Sequence, residues 1–520
     1  MDQVHWGGIA AVVGMYLAFL VVGWLASRKV KAGTASELIV AGRAMPLWIA
    51  TMTMTATWVD GGYLLGTAEG AYKPDGGIAS GLQGGVCFGI SLFLGGLFFA
   101  KKMRRYEFTT LVDPFEARFG KKWAAVLMLP AMLGEVIWSA ELLVALGATF
   151  GTILQIDLYS SIVLSAAIVT FYTMVGGMWS VAYTDVLQLA LIPIGLLLAL
   201  PLAMKSVGGM ENCFDQYVVK RAAGPAWSLQ QTVSWWDLSI MLVLGGIPWN
   251  CYFQRVLSCR SPETARWHSI IAGVLTILLT VPPLLLGLVA YVFPWASPLK
   301  DKLAEDPSSA LPLVLRYLVP YWVGVLGMGA IIGAVTSSFS ASILSAGSMV
   351  SWNVFRRLLL PQASVKQMKG IIRSSITLLG IGAAVMALYV KSVQQLWFFT
   401  SDLIFVLLVP QLSAALFDPK ANRIGSSTAF FVSLVLRLGG GEPILRLEPW
   451  IPYPEIFSNW LPDVPADWYA RTSENPEGIW YLLFPFKTVA FLAGMFLLPV
   501  VSRLTARWDP PMELRRMENA

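Results

Sequence analysis

Residues Thr53 to Glu69 read T-M-T-A-T-W-V-D-G-G-Y-L-L-G-T-A-E and combine the features that decide the fold. The stretch lies in an apolar run, yet its centre holds Asp60 and the pair Gly61-Gly62. A carboxylate at bilayer depth costs about 2.5 kcal/mol or more, so Asp60 is expected to face protein or water. The glycines predict a helix break, which membranes tolerate only where the backbone lines a cavity. The alternative is a small-residue packing face with Trp58 as an interfacial anchor, which explains the glycines but not Asp60.

The composition indicates a membrane protein with many helices. The 520 residues are 56% hydrophobic and 13% charged, and their mean hydropathy is +0.65. These values exclude an ordinary soluble domain. The net charge of +6 comes from basic residues near helix ends, so no binding of nucleic acid is predicted. The sequence contains no phosphate-binding loop, metal-ligand cluster or nucleophile constellation, and we expect neither an enzyme nor a cofactor.

Apolar runs of about 20 residues mark the membrane spans. Thirteen spans are predicted, near 7–26, 47–68, 76–100, 123–150, 157–177, 181–204, 235–256, 268–293, 321–352, 369–391, 395–417, 423–438 and 482–503. Lys and Arg are densest in the loop 101–122 and recur at 28–31, 356–357 and 515–516, all on one side of this arrangement. Because basic loops face the cytoplasm, the N-terminus is predicted outside and the C-terminus inside.

A similarity between two spans divides the chain into halves. The second span has Trp58 beside Gly61-Gly62, and the seventh has G-G-I-P-W at Gly245 to Trp249. Paired interrupted helices at matching positions predict inverted repeats with a substrate site at the membrane midplane. Two unrelated kinks are the alternative.

The chain is predicted to form a single transmembrane domain over residues 1–503, followed by a short cytoplasmic tail, 504–520. Within this domain the two inverted repeats cover 47–204 and 235–417. The remaining helices flank the repeats, at 7–26, 423–438 and 482–503.

Four tryptophans lie in helices expected to meet at the cavity, namely Trp58, Trp138, Trp249 and Trp397. Trp138 is three residues from both Glu135 and Glu141, so its indole shares a helix face with carboxylates. Indole faces attract cations, most strongly when desolvated, and an aromatic cage suits a quaternary ammonium, which has no N–H to donate. In a chain with 21 tryptophans, packing or interfacial roles are the alternative for each of the four.

Consecutive hydroxyls in span nine predict an ion site, in A-V-T-S-S-F-S at Ala334 to Ser340. Sodium takes oxygen ligands, which hydroxyls and freed carbonyls at a helix break can supply. Bonding of the hydroxyls to their own preceding helical turn is the alternative. Asp185 in span six is another intramembrane acid and a candidate for a second ion site.

Segments between about residues 40 and 490 resemble those of a known protein family. They read T-M-T-A-T-W-V, G-G-L-F-F-A-K, V-D-P-F, G-E-V-I-W, L-G-A-T, S-V-A-Y-T-D-V, L-G-G-I-P-W, Y-F-Q-R-V-L-S, S-I-L-S-A, L-R-L-G-G-G-E-P and F-P-F-K-T. On these segments the chain resembles the sodium/solute symporter family, and within it the members that transport choline. The resemblance implies an all-α membrane protein of the LeuT-type 5+5 inverted-repeat fold. It also implies sodium-driven, chloride-dependent choline uptake across the plasma membrane, which supplies acetylcholine synthesis.

The same resemblance implies the site residues. It places the choline cage at Trp58, Trp138, Trp249 and Trp397. It places one sodium ion between the backbones of Ala56, Val59 and Ala334 and the hydroxyls of Ser337 and Ser338.

The charge around this cage departs from the family pattern. Asp60 stands where the choline-transporting members have glycine, Glu141 where they have a small residue, and Ser340 where they have an aspartate. We therefore expect Asp60 to belong to the substrate site. The alternatives to choline uptake are a symporter for another small organic cation or amine, and a sensor that binds its ligand without transport.

Overall fold

The described part of the chain is built from helices. The computed structural model describes residues 6–27, 35–73, 76–154, 157–175, 178–222, 229–389, 393–442, 447–451, 453 and 484–516. The helices of the first half are α1 Trp6–Ser27, α2 Ala35–Val40, α3 Leu47–Trp58, α4 Gly61–Tyr72, α5 Ile78–Leu94, α6 Lys101–Arg105, α7 Asp113–Phe119, α8 Lys121–Leu154, α9 Leu158–Val175, α10 Met178–Ser206 and α11 Met210–Ala222. Those of the second half are α12 Leu229–Gly245, α13 Asn250–Ser258, α14 Pro262–Leu279, α15 Val281–Val292, α16 Leu299–Glu305, α17 Ala310–Tyr317, α18 Tyr321–Met349, α19 Val365–Tyr389, α20 Val393–Phe417, α21 Arg423–Gly439 and α22 Phe486–Leu504. Short 3-10 or π-helical turns adjoin them at Ala41–Arg43, Gly95–Ala100, Pro307–Ser309 and Val350–Leu359.

Within these described ranges, eight helices are long and apolar enough to cross a membrane. They are Ile78–Arg105, Lys121–Gly151, Met178–Ser206, Pro262–Val292, Tyr321–Leu359, Lys366–Tyr389, Phe398–Phe417 and Phe486–Leu504. A helix lies in each of the thirteen predicted runs. The count of thirteen spans and the orientation of the termini stay predictions. The first broken helix consists of two pieces of 12 residues each, and the second of pieces of 17 and 9 residues. Each piece is shorter than a membrane span.

The first predicted break is confirmed between α3 and α4. Val59 and Asp60 leave helical geometry, with φ/ψ of −88°/70° and −95°/−172°. Gly61 and Gly62 then begin α4 at a very close approach to neighbouring helices. A Cβ at Gly61 would lie 2.2 Å from a valine side chain of α18, and one at Gly62 would lie 1.4 Å from Glu141 Oε1. Packing against α18 and α8 therefore requires both glycines.

The second predicted break is confirmed between α12 and α13. Residues 246–249 are not helical, and Trp249 is extended, with φ/ψ of −101°/134°. Pro248 lacks an amide N–H and disfavours helical geometry in the residue before it. A tryptophan therefore stands next to the interrupted backbone at both breaks.

Helix α18 is among the most buried of the long helices. In its most apolar window 83% of the residues are buried, against 28% in the corresponding window of α22. It contacts α3, α4, α8, α10 and α13. The hydroxyl-bearing helix therefore packs directly against both broken helices.

Candidate functional site

A cavity of about 320 Å³ lies between the two helix breaks. Its walls come from α3, α5, α8, α20 and both breaks. The lining residues are Trp58, Asp60, Phe88, Trp138, Trp249, Thr400 and Ser401. Four aromatic rings and one carboxylate make this a mostly apolar pocket with an acidic group in its wall.

The structure brings three of the four predicted tryptophans together. The ring centroids of Trp58 and Trp138 lie 6.1 Å apart and those of Trp138 and Trp249 5.4 Å apart, both edge to face. The ring of Tyr252, which the sequence analysis missed, is 6.1 Å from that of Trp58. The side chain of Trp397, near the start of α20, lies outside the described residues. A cluster of aromatic rings of this kind can hold a desolvated cation.

The indole nitrogens of the three rings have different surroundings. Trp138 Nε1 donates to Asp60 Oδ2 at 2.6 Å, and Trp249 Nε1 donates to Gly245 O at 2.9 Å. Trp58 Nε1 is buried and has no hydrogen-bond partner among the described residues. Trp138 and Trp249 are therefore oriented by the protein itself, with their polar edges bonded, before any ligand binds.

Asp60 connects the first break to the aromatic cluster. Its Oδ1 accepts from Tyr63 N at 2.6 Å, which makes it the N-cap of α4, while Oδ2 accepts from Trp138. The side chain is 2% exposed, so it faces protein rather than lipid, as its sequence position suggested. The cap was readable from sequence, since aspartate is a preferred residue just before a helix.

Two further carboxylates of α8 reach the two breaks. Glu135 Oε1 accepts from Cys251 N in the first turn of α13 at 3.0 Å, and from Ser345 Oγ of α18 at 2.6 Å. Glu141 lies against Gly62 in the first turn of α4, and neither of its carboxylate oxygens has a hydrogen-bond partner among the described residues. Both acids are fully buried. Sequence spacing placed them beside Trp138 but could not show that each one points to a different break.

Three of the predicted sodium ligands, Ala56, Ser337 and Ser338, meet near the end of α3. Ser338 Oγ lies 3.4 Å from Ala56 O and donates to the next carbonyl oxygen along α3 at 3.0 Å. Ser337 Oγ lies 3.3 Å from Ala56 O. Val59, which ends α3, and Ala334, one turn before Ser338, are fully buried. Hydroxyl and carbonyl oxygens of α18 and α3 therefore form one group suited to a hard cation.

Bonding to the preceding helical turn occurs at one of these three consecutive hydroxyls. Thr336 Oγ1 donates to Ile332 O at 2.6 Å, whereas Ser337 and Ser338 bond across to other helices. The alternative from the sequence thus holds for Thr336 alone. The two serines are left to face α3.

Asp185 is adjacent to this oxygen group but has a basic partner. Its Oδ1 accepts from Ser337 Oγ at 2.7 Å, and its Oδ2 accepts from Thr53 Oγ1 and lies 3.2 Å from Arg255 Nη2. Asp185 and Arg255 are both fully buried. Asp185 thus joins an ion pair and, through Ser337, the oxygen group of α18 and α3. Its role as a second ion site stays a prediction.

The matching residues identify the family. The sodium:solute symporter family model matches residues 38–434, which include both breaks and α18. The chain belongs to the sodium:solute symporter family. Relatives of this symporter include the high-affinity choline transporter 1 of Caenorhabditis elegans, 39% identical over 96% of this chain and 88% of the worm protein. The high affinity choline transporter 1 of Homo sapiens is 39% identical over 94% of this chain and 83% of the human protein. The symporter is thus a multi-pass membrane protein whose relatives are transporters.

A solved structure has the same fold as this symporter. It is a Na⁺-coupled sialic acid symporter in a substrate-bound outward-open state, with a TM-score of 0.72. The two are 19% identical, and the match covers 98% of this chain and 99% of that one. The symporter therefore has the LeuT-like fold that the sequence resemblance implied.

Three residues of the symporter's cavity were missed by sequence reasoning. Phe88 comes from α5, and Thr400 and Ser401 come from α20. Single aromatic or hydroxyl residues are common in membrane helices, and the rotation of each helix about its axis decides which of them face a cavity. No local sequence signal marks these three.

Proposed function

We propose that this symporter takes up choline across the plasma membrane, coupled to sodium, dependent on chloride and supplying acetylcholine synthesis. The observation that carries the proposal is the cluster of Trp58, Trp138 and Trp249 around a cavity with Asp60 in its wall. A quaternary ammonium has no N–H, so it gains from π faces and a nearby negative charge rather than from hydrogen-bond acceptors. The 39% identity to two choline transporters supports the same substrate. Trp397 would complete the cage.

The proposed sodium site couples the ion to the substrate. Its residues are Ala56, Val59, Ala334, Ser337 and Ser338. Ala56 is two residues before Trp58 in α3, so an ion that holds α3 against α18 also holds one wall of the cage. Binding of either ligand would then favour binding of the other, because coupling between two sites is reciprocal. Asp185 accepts a hydrogen bond from Ser337 and is the proposed second sodium site.

The proposed topology sets the direction of sodium-coupled transport. Thirteen spans with the N-terminus outside and the C-terminus inside would orient the carrier in the plasma membrane. The inward sodium gradient would then drive substrate into the cell. The two inverted repeats would move against each other around the cavity.

Proteoliposomes with an imposed sodium gradient test this function. We expect labelled choline to accumulate, and to stop accumulating when external sodium is replaced by potassium or chloride by gluconate. Trp138→Ala should weaken uptake, whereas Trp48→Ala, at a tryptophan of α3 that is 57% exposed, serves as the matched control. Choline binding without flux would instead indicate a sensor.

A second candidate substrate is a small amine that bears an N–H group. Asp60 favours it, because its carboxylate lines the cavity and an N–H donor could share Oδ2 with Trp138. Competition between labelled choline and dimethylethanolamine separates the two candidates, since these molecules differ by one methyl group. Stronger binding of the tertiary amine in its protonated form would favour the second candidate.

A further inference from the structure

The N-terminal ends of the two broken helices open at the cavity. Helix α4 begins at Gly61, directly after the cavity residue Asp60, and α13 begins at Asn250, directly after the cavity residue Trp249. Each such end carries about half a positive elementary charge and unpaired N–H groups. In transporters with broken helices these ends bind the anionic groups of substrates.

In this chain carboxylates already occupy both ends. At α4, Asp60 Oδ1 accepts from Tyr63 N at 2.6 Å, and Glu141 packs against Gly62 in the same turn. At α13, Glu135 Oε1 accepts from Cys251 N at 3.0 Å. An ionised carboxylate at such an end outweighs the partial positive charge, and the end is then negative overall.

These three carboxylates have no basic partner in the described part of the chain. No ion pair there involves Asp60, Glu135 or Glu141. Glu141 has no hydrogen bond at either oxygen and no exposed surface. A buried carboxylate without a partner either takes up a proton or requires a cation nearby, so a positive charge that enters the cavity is favoured.

Other buried acids near the site are neutralised and do not contribute to this field. Asp185 pairs with Arg255 at 3.2 Å. Asp402, which follows the cavity residue Ser401, pairs with Arg437. Among the described acids near the cavity, those without an ion pair are therefore the ones at the ends of the two broken helices.

We propose that Asp60, Glu135 and Glu141 determine the charge selectivity of the carrier. They cover the positive ends of α4 and α13, so the cavity accepts a cation and rejects a zwitterion. The inference rests on the proposed transport of choline and specifies how that site recognises its substrate. Choline and betaine share a trimethylammonium group, and betaine adds a carboxylate. The aromatic rings therefore bind both head groups alike, whereas the three acids repel betaine and deny its carboxylate the helix ends.

Competition binding to the purified full-length protein tests the inference. Labelled choline is displaced by unlabelled choline or by betaine, and the ratio of the two inhibition constants is compared between variants. In the double variant Glu135→Gln, Glu141→Gln the preference for choline should fall by about tenfold or more. Glutamine has the length of glutamate, and its oxygen can still accept from Cys251 N. Glu69→Gln, which removes a buried acid of α4 that pairs with Lys73 at 2.7 Å, should leave the ratio unchanged.

An unchanged ratio in the double variant, with choline still bound, would overturn the inference. Asp60→Gly provides a second test if the double variant does not fold, and it should lower the ratio too. Failure of the wild-type protein to bind choline would refute the proposed function instead. The selectivity is then measured with tetramethylammonium against betaine, and equal binding of these two by the wild type would overturn the inference.

Discussion

Trp138 and Asp60 are joined by a 2.6 Å hydrogen bond that runs from α8 to the first helix break. The same carboxylate accepts from Tyr63 N and so begins α4. The orientation of one cavity ring and the start of one half-helix therefore depend on a single side chain.

Asp60→Asn should reduce choline uptake by about tenfold or more. Tyr63 N and Trp138 Nε1 donate to different carboxylate oxygens, and the amide replaces one of these oxygens with an NH2 group, so one donor loses its acceptor. A buried donor left without an acceptor costs about 1–3 kcal/mol, and 1.4 kcal/mol corresponds to a factor of ten. The initial uptake rate is measured at fixed sodium and corrected for surface expression. Normal transport by this variant would show that the carboxylate is not part of the site.

Alanine at Trp58, Trp138 or Trp249 should weaken choline uptake by about tenfold or more each. A desolvated cation–π contact contributes about 2 kcal/mol, and phenylalanine should preserve part of it. Dose–response curves for choline at saturating sodium give the change in affinity, with Trp48→Ala as the control. Wild-type affinity in a well-expressed double alanine variant would exclude the cage.

The sequence predicted the parts of this site that follow from local chemistry. Paired glycines beside Asp60 and the G-G-I-P-W segment indicated both breaks, because glycine and proline act on their own backbone. Intramembrane tryptophans pointed to the cavity because too few other roles explain them next to a break. Each of these signals lies within one short stretch of sequence.

The contacts between helices could not be predicted in the same way. Glu135 reaches α13, and Asp185 finds Arg255 70 residues further along the chain. Helical periodicity gives the residues that share a face but not the helix that this face meets. The pairing of Asp185 with an arginine therefore became visible only in three dimensions.

Ser338→Ala should raise the sodium concentration needed for half-maximal uptake. The change removes an oxygen that lies 3.4 Å from Ala56 O while the aromatic rings stay in place. The affinity for choline at saturating sodium should change little. Sodium titrations of uptake measure the shift, and Ser348→Ala is the control, because that hydroxyl donates to its own helix at Leu344 O. An unchanged sodium dependence would show that sodium binds elsewhere in the protein.

Arg255→Met should destabilise the protein strongly. It leaves Asp185 as a fully buried charge without its partner, a change that typically costs about 3–5 kcal/mol. The double variant Arg255→Met, Asp185→Asn removes both charges and should recover much of the loss. The thermal stability of both variants is measured in detergent, with size-exclusion chromatography used to monitor how much folded protein remains after heating. If the double variant is no more stable than the single one, the pair does not act as a unit.

The contact between Gly62 and Glu141 limits the order in which the two positions can change during evolution. A Cβ at position 62 would come within 1.4 Å of Glu141 Oε1, so a side chain there forces the buried carboxylate to move. As long as the glutamate is present, glycine is favoured at 62. In an alignment of descendants, side chains at position 62 should therefore occur only together with a small residue at position 141.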